Sequence, residues 1–440
     1  MSNDEARRNA EFGITKPELF GASSSFAVRY LRGSGVWFWI VITLGAAARL
    51  YLVIFTEGTS DVSIWGQHAI GVNNLGVVNY YHSNPTANHP PFMLELVLLL
   101  GKASQVLGIP FPIMLRAPFA LLDAASAALL YSLLSFHRFR LLLVAAYWIS
   151  PLSIILSAYQ GNTDSAVAFF LLLSVWFLSK PKIAAAAIAI GLGLWVKVPG
   201  ILAVPALAWY LPSWRRRALF LLGIGLVGII GYLPALLQDA PVIAQNVFGY
   251  HGRLLQNPAG EPAWGPRVLF FSIIAAPDKW PVYLQEPVVF FLRHSWQIAV
   301  SCSLALGLLW QSHRSIPNLC ATIAVLYLPV YGLTDNWAFQ YFAWSLPFWF
   351  FLPLWFSIPA VILSSGYIYS LYWALCHDPF LRGNWDFGGV LVWPGSVIVF
   401  RDLAVLFFSL SACGFLVTAI WRQASTIWTN GNKSTDPSRP

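Results

Sequence analysis

The sequence predicts an all-α protein that crosses a membrane many times. Hydrophobic residues make up 58% of the 440 residues and charged residues only 10%, and the mean hydropathy is +0.64. A soluble fold cannot bury that much apolar surface. Inside a bilayer, a helix satisfies all of its backbone hydrogen bonds within one segment. Apolar runs close to the length of a membrane-spanning helix recur along the chain, which favours a polytopic helical protein.

Twelve apolar runs are predicted to form spans, taking about 20 residues for a full crossing. They lie at residues 36–55, 112–134, 139–157, 163–179, 183–196, 198–211, 218–237, 288–309, 316–333, 338–356, 359–376 and 396–421. Several are short, which suits helices that pack around an internal cavity. We expect a cytoplasmic segment (1–35), one transmembrane domain (36–421) and a disordered cytoplasmic tail (422–440).

The basic residues indicate the orientation of the chain. Most of them form clusters beside apolar runs, which is typical of cytoplasmic loops and explains the net charge of +8 without a nucleic-acid partner. Placing "HRFR" (137–140) inside and the loop before residue 92 outside requires an odd number of crossings between them. The run 92–107 therefore should not cross, and we predict a helix at the outer membrane surface. The large outer loops are then 56–111 and 238–287.

The cysteines predict neither a disulfide framework nor a zinc site. The four cysteines are Cys302, Cys320, Cys376 and Cys413, and no two of them have CxxC spacing. The chain also has no Walker loop and no HExxH helix, so hydrolysis through those motifs has no support.

Three charged residues stand out on the predicted outer side. Asp61 follows the first span, and Asp164 lies at the tip between the third and fourth spans. Lys197 lies at an outer helix junction, where a lysine is expensive unless it faces a polar cavity or an anion. Two carboxylates and a lysine at a membrane surface suit an anionic lipid headgroup, with or without a divalent cation.

Four segments together resemble the GT-C glycosyltransferases, in particular the bacterial relatives of the GPI-anchor mannosyltransferases. They are "SDVSIWGQHA…NHPPF", "YWISPLSIILSAYQGNTDS", "LWVKVPGILAVPAL" and "GLTDNWAFQYFAWSLPF". The four follow the family's order between about Arg49 and Pro347. The chain departs from the family where Val62 and Ser63 follow Asp61, since some branches have a second acidic residue there. "GNTD" also replaces a "GQxD" element.

The resemblance implies a GT-C-like fold and an inverting hexosyltransferase. It would move a mannose-like sugar from a polyprenyl-phosphate donor to a lipid, glycan or protein acceptor on the outer face. Asp61 would be the base, Lys197 and Arg253 would neutralise the leaving phosphate, and Asp164 would hold a cation such as Mg²⁺ or Mn²⁺. The further substrate contacts expected are His68, His89, Trp65, Tyr80, Tyr81, Gln340 and Tyr341. Such an enzyme would lie in a bacterial inner membrane, or in the ER membrane of a eukaryote.

Structural roles are open for the same residues. Asp61 and Asp164 each suit the N-cap of a helix. His89 precedes two prolines and suits an ordered turn. Arg116 and Asp123 are seven residues apart on one helix face, which favours an internal ion pair.

Two other functions share this composition. A transporter or lipid flippase would be equally apolar, but it should show paired halves with broken helices, and no such repeat is evident. A non-catalytic partner of a glycosyltransferase would keep the fold and could lose Asp61, which is present here.

Overall fold

The computed structural model describes residues 35–250, 254–311, 313–336 and 338–434, with side chains from 36 to 425. The chain divides into two compact units, Met1–Leu44 and Gly45–Pro440. Of the first unit, the described part is the beginning of the first helix. The side-chain contacts and the cavity discussed below belong to the second unit.

The described residues form helices and no strand, which confirms the predicted all-α class. The α-helices are α1 Gly35–Phe55, α2 Ser60–Leu75, α3 Val77–Ser83, α4 Pro91–Leu107, α5 Phe111–Leu133, α6 Arg140–Trp148, α7 Pro151–Ile154, α8 Asp164–Ser179, α9 Ile183–Val196, α10 Val204–Tyr210, α11 Trp214–Ile230, α12 Leu233–Ile243, α13 Phe271–Ala275, α14 Val282–Arg293, α15 Ser295–Leu309, α16 Ile316–Leu326, α17 Leu328–Gly332, α18 Leu354–Cys376 and α19 Gly395–Ser434. Short 3₁₀ and π segments join several of them.

Four of the described helices are long and apolar enough to cross a membrane: α1, α5, α18 and α19. Three bent pairs also qualify when each pair is taken as one span, which gives up to seven. The helices α8, α9 and α16 and the segment Val198–Tyr210 are apolar but shorter. These lengths fit a multi-pass membrane protein.

Three of the predicted spans are broken by bends of more than 40°. The predicted span 218–237 contains an 88° bend between α11 and α12, and the predicted span 288–309 contains a 68° bend between α14 and α15. At the first bend, Pro234 follows Tyr232 by two residues. Proline has no N–H to continue a helical hydrogen-bond ladder, so a new helix starts there in another direction. A smaller bend of 49° breaks the predicted span 139–157 between α6 and the segment Pro151–Tyr159, so none of the three runs forms one straight helix.

The predicted span 338–356 is not an α-helix. Residues Phe339–Trp344 and Leu346–Phe351 form two 3₁₀ segments, and α18 begins only at Leu354. Pro347 and Pro353 each remove a backbone donor, which prevents a continuous helix. The segment is apolar and most of it is buried, but the prediction that it forms a spanning helix is wrong.

The last helix is longer than predicted. It continues to Ser434, so the first part of the tail from residue 422, expected to be disordered, has helical backbone. Residues 435–440 lie outside the described part.

Contacts between the helices show which of them pack against each other. Helix α8 packs on α5 and α9, and α9 packs on α11. Helix α2 packs on α4, and α19 packs on α17 and α18. The run predicted to form a surface helix is helical, as α4, and packs against α2, the helix that carries Asp61; its position at the surface stays a prediction.

A buried ion pair joins α1 to α5, and it is not the one predicted. The Nε and Nη2 atoms of Arg49 lie 2.9 and 2.5 Å from one carboxylate oxygen of Asp123. The hydroxyls of Tyr147 and Ser153 also donate to that carboxylate. The expected pair of Asp123 with Arg116 is wrong, because Asp123 is fully engaged by partners from other helices.

Arg116 instead caps the carboxyl end of α1. Its guanidinium donates to the carbonyl oxygens of Leu52, Val53 and Thr56 and to the Thr56 hydroxyl. The last carbonyls of a helix have no partner within it and carry partial negative charge. A buried arginine at this point fixes where the first helix ends and where the chain towards Asp61 begins.

Candidate active site

A cavity of about 760 Å³ opens where the predicted outer loops meet. It is lined by residues of α2, of the turn before α4, of the turn before α8 and of the break after α9. The segment around Gln340 and the loop that contains Trp385 complete its wall. Asp61, Lys197, His68, His89 and Trp65, predicted separately from the sequence, all line this one space, as do Gln340 and Tyr341.

Asp61 presents a partly exposed carboxylate to the cavity. It lies in the first turn of α2, where the N-cap is Thr59, whose hydroxyl accepts the N–H of Asp61 at 3.2 Å. The N-cap role open to Asp61 is thus taken by Thr59. One carboxylate oxygen accepts N–H groups of Gln160 at 2.9 Å and Asn162 at 2.8 Å. Within the described chain no donor reaches the other oxygen, Oδ1, which is therefore available to a ligand.

Gly161 sets the geometry of the two amides that hold Asp61. Its φ is +64°, in the left-handed region where residues with a Cβ are strained. A Cβ at this position would lie 2.8 Å from side-chain carbons of Arg116 and Val62. Only glycine therefore lets the turn bring Gln160 and Asn162 to the same carboxylate oxygen.

Lys197 lies between α9 and the 3₁₀ segment Val198–Ala203, at the helix junction predicted from the sequence. Its Nζ donates to one oxygen of Asp164 at 2.7 Å, and the indole N–H of Trp344 donates to the other at 2.5 Å. Asp164 is the first residue of α8 and is 1% exposed, whereas Lys197 lines the cavity. An ammonium has three donors, so two remain for a ligand.

The sequence predicts a metal ion at Asp164, but this arrangement does not fit one. Both carboxylate oxygens are engaged, one by the ammonium of Lys197 and the other by Trp344. A positive charge 2.7 Å from the carboxylate opposes a second cation at the same oxygen. Among the described residues there is also no group of three or more His, Cys, Asp or Glu that could hold a metal. The alternative N-cap role of Asp164 is not found either, because the cap position is Thr163.

The two histidines of the cavity are neutral rings. Nδ1 of His68 lies 2.7 Å from the hydroxyl of Tyr80, and burial lowers the pKa of His68 to about 4. The His89 ring lies against Trp65, with centroids 4.1 Å apart. Burial first, and then the positive charge of Lys197, hold the pKa of His89 well below its usual value of 6.5. Either ring can offer a hydrogen bond to a ligand near neutral pH, but neither brings a charge.

Tyr80 and Tyr81 lie behind the cavity wall. Both are buried, and neither lines the cavity. The hydroxyl of Tyr81 donates to the carbonyl of His89, and the hydroxyl of Tyr80 contacts His68. The prediction that these tyrosines contact a substrate does not fit this geometry. They hold the two histidines in place instead.

Gln340 and Tyr341 connect the two carboxylates. The side-chain oxygen of Gln340 accepts an N–H of Gln160 at 3.3 Å. The ring of Tyr341 stacks on Trp344, with centroids 4.1 Å apart and planes at 26°. The late aromatic segment thus touches the amide that binds Asp61 and the indole that binds Asp164.

Several cavity residues were not predicted from the sequence. Gln160 and Asn162 flank a glycine just before Asp164, and this spacing of amides around a glycine was a usable signal. Trp344 lies in the segment "QYFAW" and could have been included with it. Trp385 and Phe387 carry no comparable signal, because aromatic residues recur throughout the chain and make up 16% of it.

Arg253, the predicted second phosphate contact, lies outside the described residues, which omit 251–253. The flanking residues Tyr250 and Leu255 both line the cavity. The role of Arg253 stays a prediction.

Comparison of the chain with protein-family models, with curated proteins and with solved structures found no match. The function must therefore be argued from the cavity itself.

Proposed function

We propose that this chain is an inverting glycosyltransferase of the GT-C type. It moves a hexose, mannose-like, from a polyprenyl-phosphate donor to an acceptor on the outer face of a membrane, the bacterial inner membrane being the proposed location. One observation carries the proposal. A carboxylate held at one oxygen by two amides and open at the other shares a cavity with a lysine that has two donors to spare.

The carboxylate and the lysine suit the two ends of a sugar transfer. The acceptor hydroxyl gives its proton to Oδ1 of Asp61 while its oxygen forms a bond to C1 of the sugar. The bond between C1 and the phosphate oxygen breaks on the opposite side, and its electron pair stays on the polyprenyl phosphate. The free N–H groups of Lys197 donate to that phosphate as its charge grows. Attack opposite the leaving group inverts the anomeric carbon.

An apolar part of the cavity wall suits the polyprenyl chain. Next to Lys197, the wall is formed by Ile201, Leu202, Val247, Phe248 and Val300. Ile201 and Phe248 are about half exposed, so this wall continues to the outside of the protein. A binding site that joins a cationic group to an apolar path matches an amphiphile with an anionic head.

We also propose the finer topology that the charge pattern predicts, with about twelve crossings and α4 at the outer surface. Single cysteines placed in a cysteine-free chain test it at four exposed positions. Ser83 and Ala259 should react with an impermeant thiol reagent from outside, and Arg138 and Arg216 only from inside. The surface position of α4 fails if positions 83 and 138 report the same side.

The decisive experiment measures binding and transfer with purified protein. A panel of polyprenyl-phosphate sugars is titrated, and products formed with a membrane lipid extract are detected by mass spectrometry. Asp61→Asn should keep donor binding and reduce transfer by about 100-fold or more. Asp402→Asn, a partly exposed carboxylate outside the described cavity lining, is the matched control and should retain transfer.

Two results would overturn the proposal. Failure of the unmodified chain to bind any donor in the panel would favour the transporter alternative. Near-normal transfer by Asp61→Asn would remove the base from the mechanism.

A further inference from the structure

We infer that the acceptor is a saccharide, and that it is bound by the loop 377–394, here called the aromatic loop. This inference rests on the proposed function. The aromatic loop joins α18 to α19 and contributes Trp385 and Phe387 to the cavity wall.

The aromatic loop is folded tightly against the end of α18. The N–H of Asp386 donates to the carbonyl of Leu375 at 2.9 Å. A Cβ on Gly383 would lie 1.8 Å from the carbonyl oxygen of Cys376, so only glycine permits this approach. The Sγ of Cys376 lies 2.8 Å from the hydroxyl of Tyr159. The rings that follow Gly383 are therefore held at a fixed place relative to the helices.

Trp385 and Phe387 belong to a larger group of packed rings. The Trp385 ring lies 4.9 Å from that of Tyr372, at 71°. The Phe387 ring lies 6.4 Å from that of Phe339, which in turn lies 6.0 Å from Tyr372. Trp385, Phe387 and Phe339 line the cavity, and Tyr372 supports them from behind. The wall is aromatic and has few rotatable bonds.

This aromatic wall lies on the side of the cavity that holds Asp61. The Trp385 ring is 6.5 Å from that of Tyr159, and Tyr159 directly precedes Gln160, which binds Asp61. The apolar wall next to Lys197, by contrast, is mostly aliphatic. The proposed base and the proposed phosphate contact thus each adjoin a different kind of apolar surface, which separates an acceptor side from a donor side.

The chemistry of the acceptor side matches a neutral polyhydroxyl molecule. The faces of aromatic rings carry partial negative charge, which attracts the partly positive C–H groups on the face of a sugar ring. The cavity lining as a whole also includes neutral hydrogen-bonding side chains, among them Gln67, Asn84, Thr86 and Asn88. Among the described lining residues only Asp61 and Lys197 carry a full charge, so nothing there selects a charged peptide or a second anionic headgroup.

Transfer onto simple methyl glycosides tests the inference. The full chain in detergent is given a donor that it binds, together with methyl glycosides of common hexoses. Transfer onto at least one glycoside is expected. Trp385→Ala should raise the KM for that glycoside by about tenfold, which corresponds to the upper range for an aromatic contact. The dissociation constant of the donor should change less than twofold.

Three variants control the measurement. Trp385→Phe keeps a ring and should recover most of the loss. Phe387→Leu, made in the otherwise unmodified chain, removes the second ring at nearly equal volume and should raise the same KM. This variant tests the inference even if Trp385→Ala does not fold. Trp373→Ala removes an exposed indole of α18 that does not line the cavity, and it should leave both constants unchanged.

The outcomes separate this inference from the proposed function. If the chain binds donor and modifies the lipid extract but no glycoside, the acceptor is not recognised as a saccharide and this inference fails alone. If Trp385→Ala and Phe387→Leu weaken donor and acceptor equally, the aromatic wall serves the donor and the inference also fails. If no donor binds, the proposed function itself fails.

Discussion

Two buried ion pairs in this protein differ in what is left unsatisfied. In the pair of Arg49 with Asp123, the guanidinium also donates to the carbonyls of Gly45 and Trp148, and the carboxylate also accepts from hydroxyls. In the pair of Lys197 with Asp164, the carboxylate is fully engaged, but the ammonium uses one donor of three on a protein acceptor. The first pair is closed, and the second is open towards a cavity.

The difference separates structural charge from binding charge. A closed pair keeps its helices in register, and breaking it leaves a charge without a partner in a dry place. In an open pair, the carboxylate holds the cation in position, and the cation keeps hydrogen-bond donors that no protein group uses. Burial alone would have ranked the two pairs together. The count of unused donors distinguishes them.

The largest expected effect is on the closed pair. Arg49→Met should lower the free energy of unfolding by about 3–5 kcal/mol, because Asp123 would remain buried without a cation. Unfolding in detergent, followed by a thiol-reactive dye or by denaturant titration, measures the change. The double variant with Asp123→Asn should recover part of the loss. An unfolding midpoint unchanged in Arg49→Met would show that this pair does not hold α1 to α5.

Breaking the open pair should weaken the binding of the donor. Lys197→Met should weaken donor binding by about 2–4 kcal/mol, because the phosphate would lose its cation in a site with little water. The titration used for the unmodified chain measures it. The matched control is the double variant with Asp164→Asn, which removes the uncompensated carboxylate. If the double variant binds the donor normally, the loss in Lys197→Met came from Asp164 and not from the missing ammonium.

Acid should destabilise the cavity wall through His68. The unfolded chain takes up a proton on His68 near pH 6.5, whereas the folded chain does so only near pH 4. The stability that this difference provides is complete above pH 6.5 and is lost as the pH falls from 6.5 towards 4. The loss should reach about 2–3 kcal/mol after allowance for partial solvent access. Unfolding midpoints measured across this range should fall less steeply in His68→Gln. Equal slopes would contradict the assignment.

The smallest expected effect concerns the amides that hold Asp61. Gln160→Met keeps the length of the side chain but removes one donor to the carboxylate. Transfer should fall by about tenfold, the usual scale for one hydrogen bond to a charged group. Steady-state rates at saturating donor measure it, and Asn162→Ala should give a similar loss. A loss as large as that in Asp61→Asn would show that the amides do more than position the carboxylate.

The sequence located the charged residues of the cavity better than it located their partners. Asp61 and Lys197 were predicted from their immediate surroundings, because a charge beside an apolar run is visible in a short stretch of sequence. The partner of Asp123 was not, since Arg49 is 74 positions away and Arg116 is closer along the chain. Spacing along one helix shows which residues share a face, but not which neighbouring helix that face meets.

Helix continuity was predicted less well than apolar character. The bend between α11 and α12 and the 3₁₀ segments after residue 338 both occur in runs with the composition of a span. The prolines Pro234, Pro347 and Pro353 were present in the sequence, and each removes a backbone donor. Whether a proline only kinks a helix or ends it depends on what packs around it, and that information is tertiary.

The cap that Arg116 forms on α1 has a consequence for the exchange of amide hydrogens. Its bonds to three carbonyls anchor the residues just before Asp61, and the Thr59 hydroxyl holds the N–H of Asp61 itself. Local opening of this turn would have to break these contacts together. We therefore expect the amide of Asp61 to exchange only on the slow timescale of large-scale unfolding, although it adjoins a cavity open to solvent.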